Sequence, residues 1–300
     1  MDGYIRAELD KRFSEAHDSP KQGKSVISLA LEAYRTTTDR DPSRPTHLDE
    51  SFARYATHQI RLFLFAGNDT TSSTIVYVYH LLSQHPHVLA RLRSEHDTVF
   101  GADDPSPSAT LRARPALLND CVYTTAVIKE TLRLYPPAAT LRQGSSDYTL
   151  TDRHGTTYPT DGLATLVLHH ASHANPRVWP RPNEFLPERF LVPESHPIRP
   201  VPGAYRPFEH GPRACIGQTL VFREIQVVLA LTVRRFDVGP AYEEWDAMRS
   251  GRGGRWMGMG MGTGDGVKTV WGDRAYQTDR AGTHPADGYP CRVVSRDVGG

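Results

Sequence analysis

A lone thiol, Cys215, ends a turn-rich loop that reads Phe208-Glu209-His210-Gly211-Pro212-Arg213-Ala214-Cys215-Ile216-Gly217. A helix-like run, Gln218 to Leu231, follows it directly. Gly211 and Gly217 permit close backbone approach. Arg213 offers a planar cation that matches a carboxylate. The positive end of the helix that follows would point toward the sulfur, which suits a thiolate. Together these residue types describe a sulfur held ready for a metal ion. Two other readings stand beside that one. A lone cysteine often serves as a small buried hydrophobe. A zinc site built on His210 and Cys215 would need further ligands, and neither Cys121 nor Cys291 sits in a paired Cys-x-x-Cys context.

Two more groups carry chemistry. Ala66-Gly67-Asn68-Asp69-Thr70-Thr71 interrupts an apolar run with a glycine, an acid and two hydroxyls. Gly67 weakens a helix interior by about 1 kcal/mol against alanine. A buried Asp69 would need partners. A helix that tolerates both suggests a local opening for a ligand; the alternative is an N-cap at Asp69 or Thr70 that opens a second helix. Glu130 and Arg133 lie three apart, on one face of a helix. Such pairs are usually solvated, but Val127, Ile128, Leu132 and Leu134 flank this one and Pro136-Pro137 follow at once. His169, His170 and His173 read as surface or satisfied histidines. Arg206, Arg223, Arg234 and Arg235 read as a solvated basic face, with a redox-partner patch as the alternative.

The spacing Phe-x-x-Gly-x-Arg-x-Cys-x-Gly, matched at Phe208, Gly211, Arg213, Cys215 and Gly217, resembles the haem-ligand loop of cytochrome P450 monooxygenases. Ala66–Thr71 resembles that family's oxygen-activation motif. Glu130-x-x-Arg133 with Pro187-Glu188-Arg189-Phe190 is similar to its Glu-x-x-Arg and Pro-x-Arg-Phe pair. The resemblance implies a mainly α fold with small β-sheets. It implies haem b with Cys215 as axial ligand of the iron, and O2 as co-substrate. A thiolate in that position favours O–O cleavage. Phe208, Gly211, Arg213, Gly217, Gly67 and Arg142 would bind the cofactor, with Arg142 near a propionate. Thr70 would hydrogen-bond the O2 under activation and Asp69 would relay protons. Glu130, Arg133 and Arg189 would form a buried triad that supports the cysteine loop.

The expected activity is insertion of one oxygen atom from O2 into a small hydrophobic substrate, with an NADPH-dependent P450 reductase as electron donor. The run from Phe208 to Arg213, together with Tyr289-Pro290-Cys291-Arg292-Val293, points to fungal secondary-metabolism members. Two rivals remain: a truncated, non-catalytic haem-binding fragment, and a haem-thiolate isomerase or peroxygenase, against which intact Asp69 and Thr70 count. Full-length relatives act at the cytoplasmic face of the endoplasmic reticulum membrane. The chain resembles roughly the last three fifths of such a relative, so residues 1–300 would form a partial domain lacking the N-terminal part of the fold.

Composition agrees with a globular enzyme. Thirty-five Lys plus Arg balance 34 Asp plus Glu, which gives no electrostatic case for nucleic acid. Three scattered cysteines make no disulfide framework. The charged start, Met1 to Lys11, is no signal peptide, and no run of about twenty apolar residues offers a membrane span, which leaves a cytoplasmic location open. The pattern predicts helices over Ser25–Tyr34, Leu48–Gln84, Pro86 to about Phe100, Leu117–Leu134 and Gln218–Phe236. Leu48–Gln84 is apolar on most faces, which predicts a place at the centre of a core. A hairpin is predicted at Tyr148–Tyr158 and a strand at Leu163–Leu168. Asn175–Pro207 should be irregular, Met248–Gly266 a Gly/Met-rich loop, and Tyr276–Val294 a set of short strands.

Overall fold

Ile5, Leu9 and Phe13 recur four residues apart, so helix α1 (Asp2–Glu15) buries a single apolar stripe. The computed structural model describes residues 1–15, 25–38, 47–104, 107–251, 268–280 and 282–296. The chain divides into two units, Met1–Asp69 and Thr70–Gly300. In the first, α1 packs with α2 (Val26–Thr38) and the start of α3 (Glu50–Gln84) around Leu31, Tyr34, Leu48, Ala53, Ala56 and Ile60. Asp49 caps α3: its Oδ1 accepts the Ser51 and Phe52 amides at 3.0 Å each.

α3 runs unbroken for 35 residues. The alternative of a second helix opening at Asp69 or Thr70 is therefore excluded. The expectation that this helix lies wholly within a core is also corrected. Leu62, Phe63, Leu64 and Phe65 are 43% to 58% exposed. Four consecutive side chains, 100° apart, point to every face of a helix, so no single packing surface buries them all.

The second unit holds the remainder of α3, then α4 (Pro86–Phe100), α5 (Ser108–Ala113) and α6 (Val122–Leu134). Strands β1 (Thr140–Gln143), β2 (Thr149–Thr151), β3 (Thr157–Pro159) and β4 (Ala164–Val167) follow, then helix α7 (His169–His173). Beyond an irregular stretch come α8 (Gln218–Thr232), β5 (Phe236–Pro240), α9 (Tyr242–Gly251), β6 (Gln277–Arg280), β7 (Gly282–Pro285) and β8 (Cys291–Ser295). Among the described residues the strands form four antiparallel pairs: β1 with β4, β2 with β3, β5 with β8, and β6 with β7. The architecture is mainly helical with small sheets, as the residue pattern predicts.

Pro86 sets the first turn of α4, where its missing N–H removes no helical bond. Val78, Leu82, Val88, Leu92, Ile128, Leu132, Ile225 and Leu229 form the core where α3, α4, α6 and α8 meet. α6 starts five residues later than its apolar pattern suggests, because Glu95 of α4 caps it by accepting the Tyr123 and Thr124 amides. Leu117 and Leu118 fall instead in a short 3-10 turn, Pro115–Asn119. α8 ends at Thr232, and Phe236 opens β5. Met248–Gly251 belong to α9 rather than to a loop, and the rest of the predicted Gly/Met-rich loop lies outside the described residues. Among those residues no helix is long and apolar enough to cross a membrane.

Candidate functional site

Glu130 and Arg133, on the last turns of α6, are 0% and 1% exposed, as is Arg189 at 0%. Burial of this kind needs close pairing, because an unpaired charge in the interior costs several kcal/mol. Glu130 Oε1 accepts from Arg133 Nη2 at 2.8 Å, Arg189 Nε at 2.9 Å and the Leu186 amide at 3.1 Å; its Oε2 accepts from Arg133 Nε at 2.9 Å. The remaining Arg133 donors reach the carbonyls of His173, Pro182 and Glu184. Arg189 donates to the carbonyls of Pro180 and Arg181. Burial pushes the Arg189 pKa below its ordinary value, against the pull of Glu130. The fully buried Trp179 indole lies near both guanidinium groups, at 5.2 Å and 5.8 Å. The Glu130–Arg133 pair is thus not a solvated surface pair. It collects the carbonyls of a segment that has little regular structure of its own.

His173 extends this network toward the cysteine. Its Nδ1 donates to the Arg133 carbonyl at 3.1 Å and its Nε2 accepts the Arg206 amide at 3.0 Å. Burial holds its pKa down at about 4, outweighing the bond to the Arg133 carbonyl, so the ring is neutral and its tautomer is fixed by its two partners. His169 and His173 are buried, and His173, bonded at both ring nitrogens, fits the satisfied reading, whereas His170 is exposed. Arg234 is also interior. It bonds Asp97 and the Gly101 carbonyl, so no basic face includes it.

The Cys215 loop leaves Arg206 and reaches α8 through a 3-10 turn, Gly211–Arg213. Phe208 anchors its start by packing on the core and on Phe222, with ring centroids 5.6 Å apart. The Cys215 amide donates to the Phe208 carbonyl at 2.8 Å, which closes the loop. Gly211 takes φ +75°, a conformation glycine adopts without strain. A Cβ on Gly217 would lie 3.7 Å from the Cys215 sulfur. Glu209 also has a left-handed backbone, φ +59°, which costs a non-glycine residue about 1–2 kcal/mol. Cys215 is exposed, and so are its neighbours Ile216 and Leu220, at 83% and 67%. The reading of Cys215 as a buried hydrophobe is therefore excluded.

The other candidate residues are placed as follows. Gly67 lies mid-helix in α3, and a Cβ there would meet no atom within 4 Å. Asp69 and Thr70 are half-buried, not buried as the apolar run suggested. The Thr70 carbonyl accepts the Thr74 hydroxyl at 2.8 Å, and the buried Thr71 hydroxyl lacks a hydrogen-bond partner among the described residues. Arg142 is exposed on β1 and donates to the Leu141 carbonyl at 3.0 Å. Arg213 is exposed.

A soft sulfur donor beside exposed apolar Ile216 and Leu220 fits a flat apolar group carrying iron. It does not fit a zinc site: among the described residues no group of three or more metal-capable side chains includes Cys215. Glu95, His96 and Cys121 do lie close together, a grouping that sequence spacing did not reveal. Glu95 already caps α6, and burial pushes the Cys121 thiol up to about 12, which disfavours the thiolate a metal needs. A cleft of about 1100 Å³, lined by Gln84, His87, His170, Trp271 and Tyr276 among others, includes Arg133 but none of the expected cofactor-binding residues.

Comparison with known proteins agrees with these features. The cytochrome P450 family model matches residues 4–253. The chain is 43% identical over 293 residues to cytochrome P450 monooxygenase polC of Polytolypa hystricis, covering 98% of this chain and 50% of that protein. It is 34% identical over 313 residues to cytochrome P450 monooxygenase acrF of Aspergillus aculeatus, covering 99% of this chain and 60% of that one. The crystal structure of a cytochrome P450, CYP102L1, superposes with a TM-score of 0.67 at 26% identity, over 98% of this chain and 56% of that one. The chain thus spans about half the length of the curated relatives it matches. It belongs to the cytochrome P450 family, in its fungal secondary-metabolism branch, whose cofactor is haem b with O2 as co-substrate.

Proposed function

We propose that this chain carries the haem-binding part of a monooxygenase that inserts one oxygen atom from O2 into a small hydrophobic secondary metabolite. The observation that carries the reading is the exposed Cys215 thiol on a loop closed by the Cys215–Phe208 backbone bond. Haem, when bound, supplies the site for O2 activation and electron transfer. Cys215 holds it through sulfur, in the thiolate form. Phe208, Gly211 and Gly217 shape the loop, and Arg213 and Arg142 offer cations to its propionates. Gly67 leaves room beside α3. Thr70 donates a hydrogen bond toward O2, and Asp69 passes protons from solvent. Glu130, Arg133 and Arg189 support the loop without touching reactants. The reading carries with it an NADPH-dependent P450 reductase as electron donor and the cytoplasmic face of the endoplasmic reticulum membrane as the place of action, which co-fractionation of the native protein tests.

The spectrum of the reduced, CO-treated protein tests the ligand. The expected result is a red-shifted Soret band for the wild type and its loss in Cys215→Ser. A histidine-type spectrum in the wild type would sink the assignment. Haem binding with the red-shifted band but no oxidation of any hydrophobic substrate, with reductase and NADPH supplied, favours the non-catalytic fragment. The four exposed apolar residues Leu62–Phe65 are the observation on that side.

A further inference from the structure

Glu209 is the one residue of the Cys215 loop whose side chain reaches several elements at once. Its backbone is left-handed, φ +59°, where glycine would sit without strain and glutamate does not. Its carboxylate is only 11% exposed. Arg206 Nη2 donates to Oε2 at 3.1 Å. His169 Nε2 lies 3.4 Å from Oε1 and 3.2 Å from the Thr140 hydroxyl, so the imidazole stands between the carboxylate and β1. One carboxylate therefore joins the loop to α7 at His169, and His169 in turn reaches Thr140 of β1. Burial alone would push the Glu209 carboxyl up, yet Arg206 and Thr140 outweigh it and hold it below the usual carboxylate range. The interactions that hold the charged form thus win over its desolvation. The strained backbone persists where surrounding contacts over-determine it, a pattern found at functional sites.

We propose that Glu209 is a positioning residue for the Cys215 thiolate: its clasp to Arg206 and to His169, which Thr140 holds in turn, fixes the loop that the Cys215–Phe208 bond closes. This rests on the reading of Cys215 as the haem ligand. The clasp sits one residue from Phe208, whose carbonyl takes the Cys215 amide at 2.8 Å. A change at Glu209 therefore passes to Cys215 through one peptide unit and one hydrogen bond. His173 holds Arg206, three residues before Glu209, through its backbone amide. The loop is held near its entry at Arg206 and at Glu209, and the two histidines beside them come from a single helical turn, α7.

The test uses the 300-residue chain with Glu209→Ala, Glu209→Gly and Thr140→Val. Glycine relieves the backbone strain while removing the carboxylate, so it separates the two effects. Thr140→Val removes one clasp partner from outside the loop and stands if the Glu209 variants fail to fold. Hydrogen exchange in peptides covering residues 206–217 is read first, without haem. The expected result is at least tenfold faster exchange in Glu209→Gly and a smaller acceleration in Thr140→Val, with exchange in α4 unchanged. Equal protection in all variants overturns the proposal. The reduced CO spectrum of the haem-loaded chains is read second. The expected result is a several-fold larger non-thiolate fraction in the Glu209 variants than in wild type. A faster-exchanging loop whose thiolate fraction stays at the wild-type value overturns the positioning role. A wild type with no thiolate band overturns the ligand reading itself, and the positioning role with it, even where the exchange result holds.

Discussion

The Glu130 network and the Cys215 loop are joined through His173 and Arg206, yet they are built in opposite ways. In the network every guanidinium N–H of Arg133 is used, on one carboxylate and three carbonyls, and the whole is shut from solvent. In the loop the sulfur and the apolar Ile216 and Leu220 are exposed, and order comes from a few backbone bonds, the anchoring of Phe208 and the contacts of Glu209, none of which uses the sulfur. The difference separates two tasks. Arg133 can only hold; it has no donor left for a ligand. The loop can bind because its reactive atom is not used by the fold.

The comparison breaks if the network proves dispensable. Glu130→Ala leaves two buried guanidinium groups without their carboxylate, and removing one partner of such a set costs roughly 3–5 kcal/mol. Denaturant unfolding should show this loss, with haem loading falling in parallel. An unchanged midpoint would mean that water reaches the arginines and that the burial is not real.

Acid should reveal the same interior. His96 and His173 are held neutral, each with its pKa lowered to about 4 from 6.5, by burial in both cases and for His96 also by the Arg234 cation. Unfolded histidines take up protons below about 6.5, while the folded ones do not until about 4. Stability from these two rings is therefore complete above pH 6.5 and is lost as pH falls toward 4, on the order of 3 kcal/mol for each ring. The measurement is unfolding free energy against pH. Replacing His96 with glutamine should flatten the slope between pH 6.5 and 4, and an unaltered slope would remove His96 from the account.

The smallest effect sharpens the contrast. Cys215→Ser changes an exposed side chain and should move unfolding stability by less than about 0.5 kcal/mol. A loss comparable with that of Glu130→Ala would show that the sulfur is part of the packing, and the division of tasks would fall.

Much of this was legible in the residues. Apolar spacing located α2, α3, α4, α6 and α8, because 3.6-residue periodicity is a local property, but it missed α1, whose charged residues hide the stripe of Ile5, Leu9 and Phe13. Pro86 and the Pro136-Pro137 pair marked ends for equally local reasons. Glu130, Arg133 and Arg189 could be singled out as motif members, but their partners are carbonyls of Pro180, Pro182 and Glu184, which no side-chain pattern encodes. His173 escaped for the same cause: its two partners are a carbonyl and an amide 40 and 33 residues away. The late start of α6 depends on Glu95, a cap supplied by another helix and so invisible in the sequence around Val122. Four neighbouring apolar residues at Leu62–Phe65 looked like core, because composition reports the wish to be buried and not the presence of something to bury against.

The way Arg133 gathers carbonyls bears on the order in which the molecule assembles. The His173, Pro182 and Glu184 carbonyls lie 40, 49 and 51 residues beyond it. Between Ala174 and Arg206 the backbone's own bonds are mostly turns spanning three or four residues. Its carbonyls reach Arg133 only when a loop of that length closes on α6, and closure must precede the contacts that reward it. The irregular segment is thus a late-ordering part of the chain, and the cysteine loop, which follows it in sequence and hangs from it through Arg206, waits on the same event.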